Sequence, residues 1–228
     1  MVGGGPRMSP GEVTLADHGV LFLDELPEFG RDVLEALRQP LEDGHVAIAR
    51  VGRATRFPAR FQLVAAMNPC PCGFHGDGSD RCHCTPGMPE RYAGRVSGPL
   101  RDRIDVWVTM GRVQAAALIA GREPESSAIV AARIAVARRA QVERRGVLNG
   151  RLTGRALRAA AALSAAATAR AVALAELEAL TGRGTERVLR VARTIADLAG
   201  DRRVEGHHLD EAARFRSPAA RVADREAS

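Results

Sequence analysis

Two apolar runs constrain the fold of this chain most strongly. Val20–Leu23 and Phe61–Met67 are short hydrophobic segments, and each is followed by a polar residue, Asp24 after the first and Asn68 after the second. Short apolar runs of this kind are typical of buried parallel strands. A third run at Ile104–Val108 predicts another such strand. We therefore expect a parallel sheet whose strand ends carry carboxylate and amide side chains.

From about residue 113 onward the pattern changes to that of helices. Alanine-rich segments with apolar residues at every third or fourth position predict helices at about 126–145, 153–163, 165–180, 184–199 and 207–215. Either Ser126 or Ser127 is expected to cap the first of these. The sequence thus predicts an α/β core over residues 1–112, followed by an all-α domain over residues 113–228.

All the basic side chains apart from histidine are arginines. The sequence contains 33 arginines and no lysine, and its formal net charge is +6 at pH 7. A basic chain favours contact with polyanions such as nucleic acid or nucleotide phosphate. A phosphate-binding loop of the form Gly-x-x-x-x-Gly-Lys-Ser/Thr requires a lysine, so it cannot occur within these residues.

The composition favours a cytoplasmic protein. Apolar residues make up 46% of the chain and charged residues 26%. No apolar run approaches the roughly 20 residues that span a bilayer. The opening segment Met-Val-Gly-Gly-Gly-Pro-Arg lacks the features of a signal peptide. We therefore expect a cytoplasmic location and no membrane partner.

Asp24 and Glu25 are expected at the carboxyl end of a parallel strand, where α/β sheets bind ligands. This arrangement matches a Walker B motif, in which the aspartate helps to hold Mg²⁺ with ATP and a glutamate orients or deprotonates the attacking water. Asn68 is expected one strand over, where its amide can donate to the γ-phosphate or to that water. Solvated acids at a strand edge and an Asn-Pro turn remain the alternatives.

Four cysteines fall in one short segment, as Cys70-x-Cys72 and Cys82-x-Cys84. Thiolates on two facing turns suit tetrahedral Zn²⁺, and a cytosolic location disfavours structural disulfides. The spacing is tighter than the usual Cys-x₂-Cys of zinc sites, so free thiols and a redox pair stay open as alternatives. A metal at this position is expected to be structural.

The segment from His45 to Phe57 predicts a β-hairpin with Gly52 near its turn. The hairpin carries Arg50, Arg53 and Arg56. Contact with a nucleic-acid backbone is one interpretation, and a strand edge protected by solvated charge is the other. Because the chain has few aromatic residues, any such binding should be largely independent of sequence.

Several segments together resemble the magnesium-chelatase-like AAA+ family of the ComM/YifB type. The matching segments are GEVTLA at 11–16, GVLFLDELPEF at 19–29, RFPARFQLVAAMNPCPCG at 56–73, SGPLRDRID at 97–105 and the helical stretch 183–198. The resemblance covers nearly the whole chain. It implies a partial P-loop NTPase core with parallel strands, followed by a helical lid.

The resemblance also implies roles for individual residues. Asn68 occupies the sensor 1 position, and Arg190 the sensor 2 position. Arg103 is implied to be the arginine finger that acts on a neighbouring subunit, with Arg101 as the second candidate. The arginine hairpin corresponds to one that faces the central pore in helicase-like relatives.

Other interpretations of the two main arginines remain open. Arg103 could pair with Asp102 or Asp105, and Arg190 could be one solvated arginine among several on its helix.

The resemblance implies an ATP-driven motor that uses Mg²⁺, assembles as a homo-oligomeric ring and acts on DNA, in branch migration or recombination during natural transformation. Full-length relatives carry a Walker A segment upstream that these residues lack. We therefore expect the isolated chain to have no autonomous ATPase activity, because the phosphate-gripping half must come from an upstream polypeptide or be lost.

Three other functions remain as alternatives. A magnesium chelatase motor subunit, which metallates porphyrin, shares the fold. Activators of sigma-54 polymerase share the GxxxLAxxGxLFLDE stretch, but they continue with Ala-Thr-Asn where this chain has Met67-Asn68-Pro69-Cys70. The third alternative is an inert, truncated binding module.

Overall fold

The computed structural model describes residues 1–5, 8–50, 53–111, 113, 115, 119–121 and 124–216. The chain divides into two compact units, Met1–Ile104 and Asp105–Ser228. The boundary predicted between residues 112 and 113 involves residue 112, which lies outside the described residues. The first unit contains a parallel strand pair and the second is helical, so the predicted α/β class with a helical C-terminal region is confirmed.

The strands of the described residues all lie in the first unit and form three two-stranded sheets. They are β1 (Gly3–Gly4), β2 (Ser9–Pro10), β3 (Val20–Leu23), β4 (His45–Arg50), β5 (Arg53–Pro58) and β6 (Gln62–Ala65). Strands β1 and β2 are antiparallel, as are β4 and β5, whereas β3 and β6 are parallel. The predicted strands at β3 and β6 and the predicted hairpin at β4 and β5 are therefore present.

Strand β3 is buried on one face only. Its alternate residues Leu21 and Leu23 lie in the core, whereas Val20 and Phe22 are 59% and 60% exposed. Val64 on the paired strand is 40% exposed. The expectation that these strands are buried therefore holds for only one face of β3 in the described residues.

The third predicted strand, at Ile104–Val108, is also wrong. Residues 104–111 contain no regular structure, and Val106 and Val108 are 48% and 61% exposed. A strand needs a neighbour that satisfies its backbone N–H and C=O groups. In the described residues the Ile104 N–H instead donates to the Arg101 carbonyl at 3.1 Å, and the Trp107 N–H to the Phe215 carbonyl at 2.9 Å.

The helices of the first unit are short and pack around one hydrophobic core. They are α1 (Glu12–Leu15), α2 (Arg31–Ala36), α3 (Arg38–Asp43), α4 (Met88–Ala93) and α5 (Gly98–Arg101), with a 3₁₀ turn at Leu26–Glu28. The buried core residues of this unit are Val13, Leu21, Leu23, Leu26, Leu34, Leu37, Val46, Ala59, Val96 and Leu100. This core fixes the carboxyl end of β3, since residues on both sides of Asp24 and Glu25 belong to it.

The second unit contains the long helices that the sequence predicts. They are α6 (Ser127–Arg145), α7 (Gly154–Ala161), α8 (Ala165–Leu177), α9 (Gly182–Ala199) and α10 (Gly206–Arg214), with a 3₁₀ turn at Asn149–Arg151. The predicted cap is Ser126, whose Oγ accepts from the Ile129 N–H at 3.4 Å. None of the helices in the described part of the chain combines the length and apolarity needed to cross a membrane.

Alanine and leucine build the core of the second unit, and a buried ionic network crosses it. The Asp197 side chain is 1% exposed and the Arg193 side chain 0%, with their charged atoms 2.9 Å apart. Asp197 also accepts from Arg144 at 3.2 Å and from the Asn149 amide at 2.8 Å. Buried charges must be paired and hydrogen-bonded, so this network fixes how α6 and α9 pack.

Candidate nucleotide site and cysteine cluster

Asp24 and Glu25 lie directly after β3, held between two hydrogen bonds to one residue of the neighbouring strand. The Ala66 N–H donates to the Leu23 carbonyl at 2.9 Å, and the Ala66 carbonyl accepts from the Leu26 N–H at 2.9 Å. A regular parallel ladder would place one residue between these bonds, whereas here there are two. The extra residue makes a bulge that leaves both acidic side chains exposed at the strand end.

The backbone of Glu25 is left-handed, with φ 50° and ψ 45°. Its N–H donates to Oδ1 of Asp24 at 2.9 Å. Neither carboxylate takes part in an ion pair within the described residues. Two adjacent exposed carboxylates without a protein cation can accept a divalent metal, because Mg²⁺ prefers oxygen ligands and is bound through one or two carboxylates.

Asn68 follows β6 at the same end of the parallel pair. It lies two residues after Ala66, which fixes the bulge at Asp24 and Glu25, and its side chain is exposed. The next residues are Pro69 and the fully buried Cys70. The structure therefore brings Asp24, Glu25 and Asn68 to one edge of the sheet, as the sequence predicts for parallel strands.

The residues present fit one side of a magnesium–nucleotide site. The exposed carboxylates supply oxygen ligands, and the Asn68 amide supplies a neutral donor. None of these three side chains carries a positive charge that could neutralise phosphate. The set is therefore suited to metal, water and γ-phosphate, and not to gripping the whole triphosphate.

Arg103 is paired inside the first unit. Its guanidinium forms a salt bridge with Glu42 and donates to the Pro99 carbonyl at 2.7 Å, and its side chain is 15% exposed. Its partner in the described residues is thus neither of the aspartates that the sequence offered. Arg101, the second candidate, donates to the Ala93 carbonyl, and burial lowers the pKa of its guanidinium.

Arg190 lies in the second unit, on α9. Its Nη2 is 3.2 Å from Oδ1 of Asp105, and its side chain is 19% exposed. The Arg190 carbonyl also accepts from the Thr194 hydroxyl at 2.9 Å. Arg190 is therefore paired and half-buried, and not one of several freely solvated arginines.

The arginines of the hairpin do not share one face. In the register Arg50 pairs with Arg53, and Arg56 pairs with Ala47. Successive positions of a strand alternate between faces, so the position of Arg56 belongs to the face opposite that of Arg53. Arg56 is exposed, with Nη2 2.6 Å from Nε2 of His45. The side chains of Arg50 and Arg53, and the predicted turn residue Gly52, lie outside the described residues.

The four cysteines converge in one cluster. The Sγ atom of Cys72 lies 3.3 Å from that of Cys70, 3.7 Å from that of Cys82 and 3.4 Å from that of Cys84. Cys70 is buried and the other three are half-buried, and all four are free thiols. The backbone N–H of Phe74 donates to the Cys72 sulfur and lowers the pKa of that thiol to about 6. A thiolate is the form that binds metal.

Sequence reasoning missed the contacts that hold these residues in place. Arg95 donates to the Pro27 carbonyl at 3.3 Å and to Glu28 at 3.1 Å, so it pins the turn that follows Glu25. Glu42 holds Arg103, and Asp105 holds Arg190. No local pattern marks such pairs, because 61 to 85 residues separate the partners.

Two family models match the chain. The model described as magnesium chelatase, subunit ChlI, matches residues 1–118. The model described as magnesium chelatase, subunit ChlI C-terminal, matches residues 124–216. Together the two matches include all the candidate site residues.

Curated proteins of similar sequence agree with the family models. The competence protein ComM of Haemophilus influenzae is 43% identical over 95% of the chain and 42% of its own length. The uncharacterized protein YifB of Salmonella typhimurium is 40% identical over 95% of the chain and 43% of its own length. The uncharacterized protein Rv2897c of Mycobacterium tuberculosis is 44% identical over 88% of the chain and 40% of its own length. The chain thus spans less than half the length of these relatives.

Proposed function

The chain belongs to the magnesium chelatase subunit ChlI family of AAA+ proteins, and we propose that it forms the hydrolytic and sensing part of an ATP-driven motor. Members of this family in general use ATP and Mg²⁺. We assign residues 1–112 to the core of the motor, residues 113–228 to its lid, and its location to the cytoplasm.

The bulge at the end of β3 carries this proposal. Two hydrogen bonds to Ala66 fix Asp24 and Glu25 beside the end of β6, where Asn68 follows. Because the bulge is anchored on both sides, the backbone that carries the two carboxylates is held in place before any ligand binds. Positioning of this kind is the main protein contribution to phosphoryl transfer, in which little covalent chemistry falls to the enzyme.

The three side chains at this edge have separate roles in the proposed reaction. Asp24 holds Mg²⁺, which when bound supplies charge neutralisation at the phosphates. Glu25 accepts a proton from the attacking water or orients it. Asn68 donates a hydrogen bond to that water or to the γ-phosphate, where negative charge develops in the transition state.

We also assign roles in this reaction to two arginines that do not lie at the end of β3. Arg190 is the sensor 2 residue of the lid and binds nucleotide phosphate. Arg103 is the arginine finger, with Arg101 as the second candidate, and it acts on the nucleotide of a neighbouring subunit in a homo-oligomeric ring. To reach that nucleotide, Arg103 must break its salt bridge with Glu42. Binding of the neighbouring subunit's nucleotide therefore competes with this salt bridge.

DNA is the proposed substrate of the motor. The chain has a net charge of +6, and its hairpin carries Arg50, Arg53 and Arg56. We assign the motor to branch migration or recombination during natural transformation, in keeping with a relative that is named as a competence protein. Backbone contacts by arginine give binding that does not depend on base sequence, which suits translocation or branch migration.

Porphyrin metallation is the second candidate, and the family description favours it. A chelatase motor would respond to porphyrin and to its partner subunits, whereas a DNA motor would respond to branched or duplex DNA. Stimulation of ATP turnover by one substrate and not by the other decides between these two functions.

ATP binding and turnover test the proposed site. The purified chain is assayed alone and together with a polypeptide that supplies the Gly-x-x-x-x-Gly-Lys segment. We expect turnover with both parts present, and its loss by about 10²- to 10⁴-fold in Glu25→Gln with nucleotide still bound. The control is Glu90→Gln, which changes an exposed carboxylate on α4.

Two results would contradict the proposal. Turnover by the isolated chain that vanishes in Glu25→Gln would show that no separate phosphate-binding segment is needed. Full turnover by Glu25→Gln in the two-part protein would remove Glu25 from the reaction.

A further inference from the structure

The cysteine cluster lies outside the proposed reaction and has its own chemistry. We propose that Cys70, Cys72, Cys82 and Cys84 bind one structural Zn²⁺ ion, which fixes the segment that follows Asn68. This site goes beyond the proposed motor function, since it needs neither nucleotide nor DNA.

The spacing of the sulfur atoms supports a tetrahedral zinc site. With Zn–S bonds of about 2.3 Å, the sulfur atoms of a tetrahedral site lie about 3.8 Å apart. The Sγ–Sγ separations of 3.3, 3.4, 3.7 and 4.0 Å in the structure lie on both sides of that value. All the ligand atoms of the cluster lie within 4.8 Å of one another. Small side-chain rotations are therefore enough to seat the ion.

The grouping of the four sulfur atoms argues against a disulfide or a single redox pair. The sulfur atoms of a disulfide are about 2.0 Å apart, far closer than any pair here. Cys72 lies within 3.7 Å of the other three sulfur atoms, so the thiols form one group of four and not two separate pairs. A shared centre of four sulfur atoms is what a metal ion requires.

Hydrophobic packing does not account for the cluster either. Cys70 is fully buried, but Cys72, Cys82 and Cys84 are only half-buried. Burial of small apolar side chains therefore does not draw these sulfur atoms together. Two histidines in the same segment, His75 and His83, are exposed and do not belong to the cluster.

The segment that carries the cysteines has little other structure. Residues 70–87 form turns without a helix or a strand. Its other anchors are local: Arg81 pairs with Asp77 at 2.6 Å and covers the ring of Phe74 at 4.1 Å. Long segments of this kind are uncommon in compact domains, and a metal can supply the free energy that a core would supply elsewhere.

The proposed zinc site is also connected to the candidate nucleotide site by a short stretch of backbone. Cys70 is separated from Asn68 by a single residue, Pro69, whose ring restricts the backbone. A Cys70 sulfur held by zinc therefore limits the movement of the Asn68 backbone. Cys70 and its partners are positioning residues in this sense, not catalytic ones.

Zinc content of the purified chain, prepared without a histidine tag, tests the site directly. We expect one Zn²⁺ per chain, and its loss from the double variant Cys82→Ser/Cys84→Ser. The matched controls His75→Ala and His83→Ala change neighbouring side chains and should keep the metal. A metal-free wild-type chain that also fails to take up added Zn²⁺, or zinc retained by the cysteine variant, would overturn the proposal. Zinc lost from a histidine variant would overturn the four-thiolate ligand set.

Two further measurements on the unmodified chain guard against a variant that simply fails to fold. Replacement of zinc by Co²⁺ should give the charge-transfer absorption of cobalt bound to thiolates, and its absence would count against the site. Trypsin should cut after Arg81 at least about tenfold faster once a chelator removes the metal, because bound ligand suppresses local opening. Equal cleavage with and without chelator would show that no ion orders this segment.

Discussion

Arg190 and Asp105 form an ion pair across 85 residues of sequence, with Nη2 and Oδ1 3.2 Å apart. The Arg190 side chain is 19% exposed and the Asp105 side chain 42% exposed, so water screens the pair from one side. Such a pair stabilises the fold by at most about 1 kcal/mol. Its main effect is to hold the Arg190 guanidinium at a fixed place on α9.

Replacing Arg190 should weaken nucleotide binding. A guanidinium bonded to phosphate contributes about 1.5–3 kcal/mol, so Arg190→Ala should raise the Kd for ATP by about 10- to 100-fold. Asp105→Asn, which removes the competing carboxylate, should bind ATP at least as tightly as the wild type. Titration with a fluorescent ATP analogue measures both values on the chain combined with the phosphate-binding segment. Wild-type affinity in Arg190→Ala would rule out the sensor 2 role.

Mixing two inactive variants tests whether Arg103 acts between subunits. Arg103→Ala lacks the finger but keeps Glu25, and Glu25→Gln keeps the finger but cannot hydrolyse ATP. In a mixed ring, an Arg103→Ala site beside a Glu25→Gln neighbour should recover turnover, because the neighbour supplies the arginine. Steady-state ATPase rates of the mixture measure this.

Two controls accompany the mixing experiment. Glu42→Gln releases Arg103 from its salt bridge and should keep full turnover. If the mixture stays as inactive as its components although the rings exchange subunits, Arg103 does not act in trans.

Arg56 should contribute to DNA binding by charge alone. Each phosphate contact on duplex DNA adds about 0.9 to the slope of log K against log salt concentration, so Arg56→Ala should lower that slope by about one unit. The loss should be equal for unrelated DNA sequences. Fluorescence anisotropy at several salt concentrations measures the slope.

The control for Arg56 is Arg133→Ala. Arg133 is 52% exposed and lies on α6 of the second unit, where it pairs with Glu125 at 2.9 Å. Both variants remove one exposed positive charge. If the two variants weaken DNA binding alike, net charge and not the hairpin governs the contact.

Asp197 should be critical for the stability of the second unit. Asp197→Asn leaves the guanidinium groups of Arg144 and Arg193 without their shared carboxylate. Breaking a buried pair of this kind costs about 3–5 kcal/mol of unfolding free energy. Urea denaturation followed by circular dichroism at the helix band measures the loss.

Asp210→Asn provides the comparison for Asp197. Asp210 pairs with Arg170 at 2.7 Å, but both side chains are more than 40% exposed. Its loss should therefore cost less than about 1 kcal/mol. Equal destabilisation by the two substitutions would contradict the importance assigned to burial.

Local sequence patterns predicted the positions of most strands and helices, but not which segments pair or pack with one another. The runs before Asp24 and Asn68 do form neighbouring parallel strands, and the five predicted helices of the second unit are present. The similar run at Ile104–Val108 does not form a strand. Apolar composition alone cannot say whether a segment will find a strand to pair with, because the pairing partner is remote in sequence.

The candidate site was predictable to the same extent. Adjacent carboxylates after a strand, and an amide after the next, are visible as short motifs. The bulge, with its extra residue between the two bonds to Ala66, is not visible in the sequence. It depends on how Leu26 packs after the strand ends. The pairing of Arg103 with Glu42 likewise follows from tertiary structure, and the face of Arg56 follows from the hairpin register.

The left-handed backbone of Glu25 lowers the stability of the fold at a residue that is proposed to be catalytic. A residue with a side chain costs about 1–2 kcal/mol more than glycine in this conformation. With φ at 50°, Glu25→Gly should therefore relieve strain and raise the melting temperature, while it removes the carboxylate proposed to activate water. A search for thermostable variants would favour loss of this glutamate. We therefore expect Glu25→Gly to gain stability and lose turnover, which a melting curve and an ATPase assay on the same protein would show together.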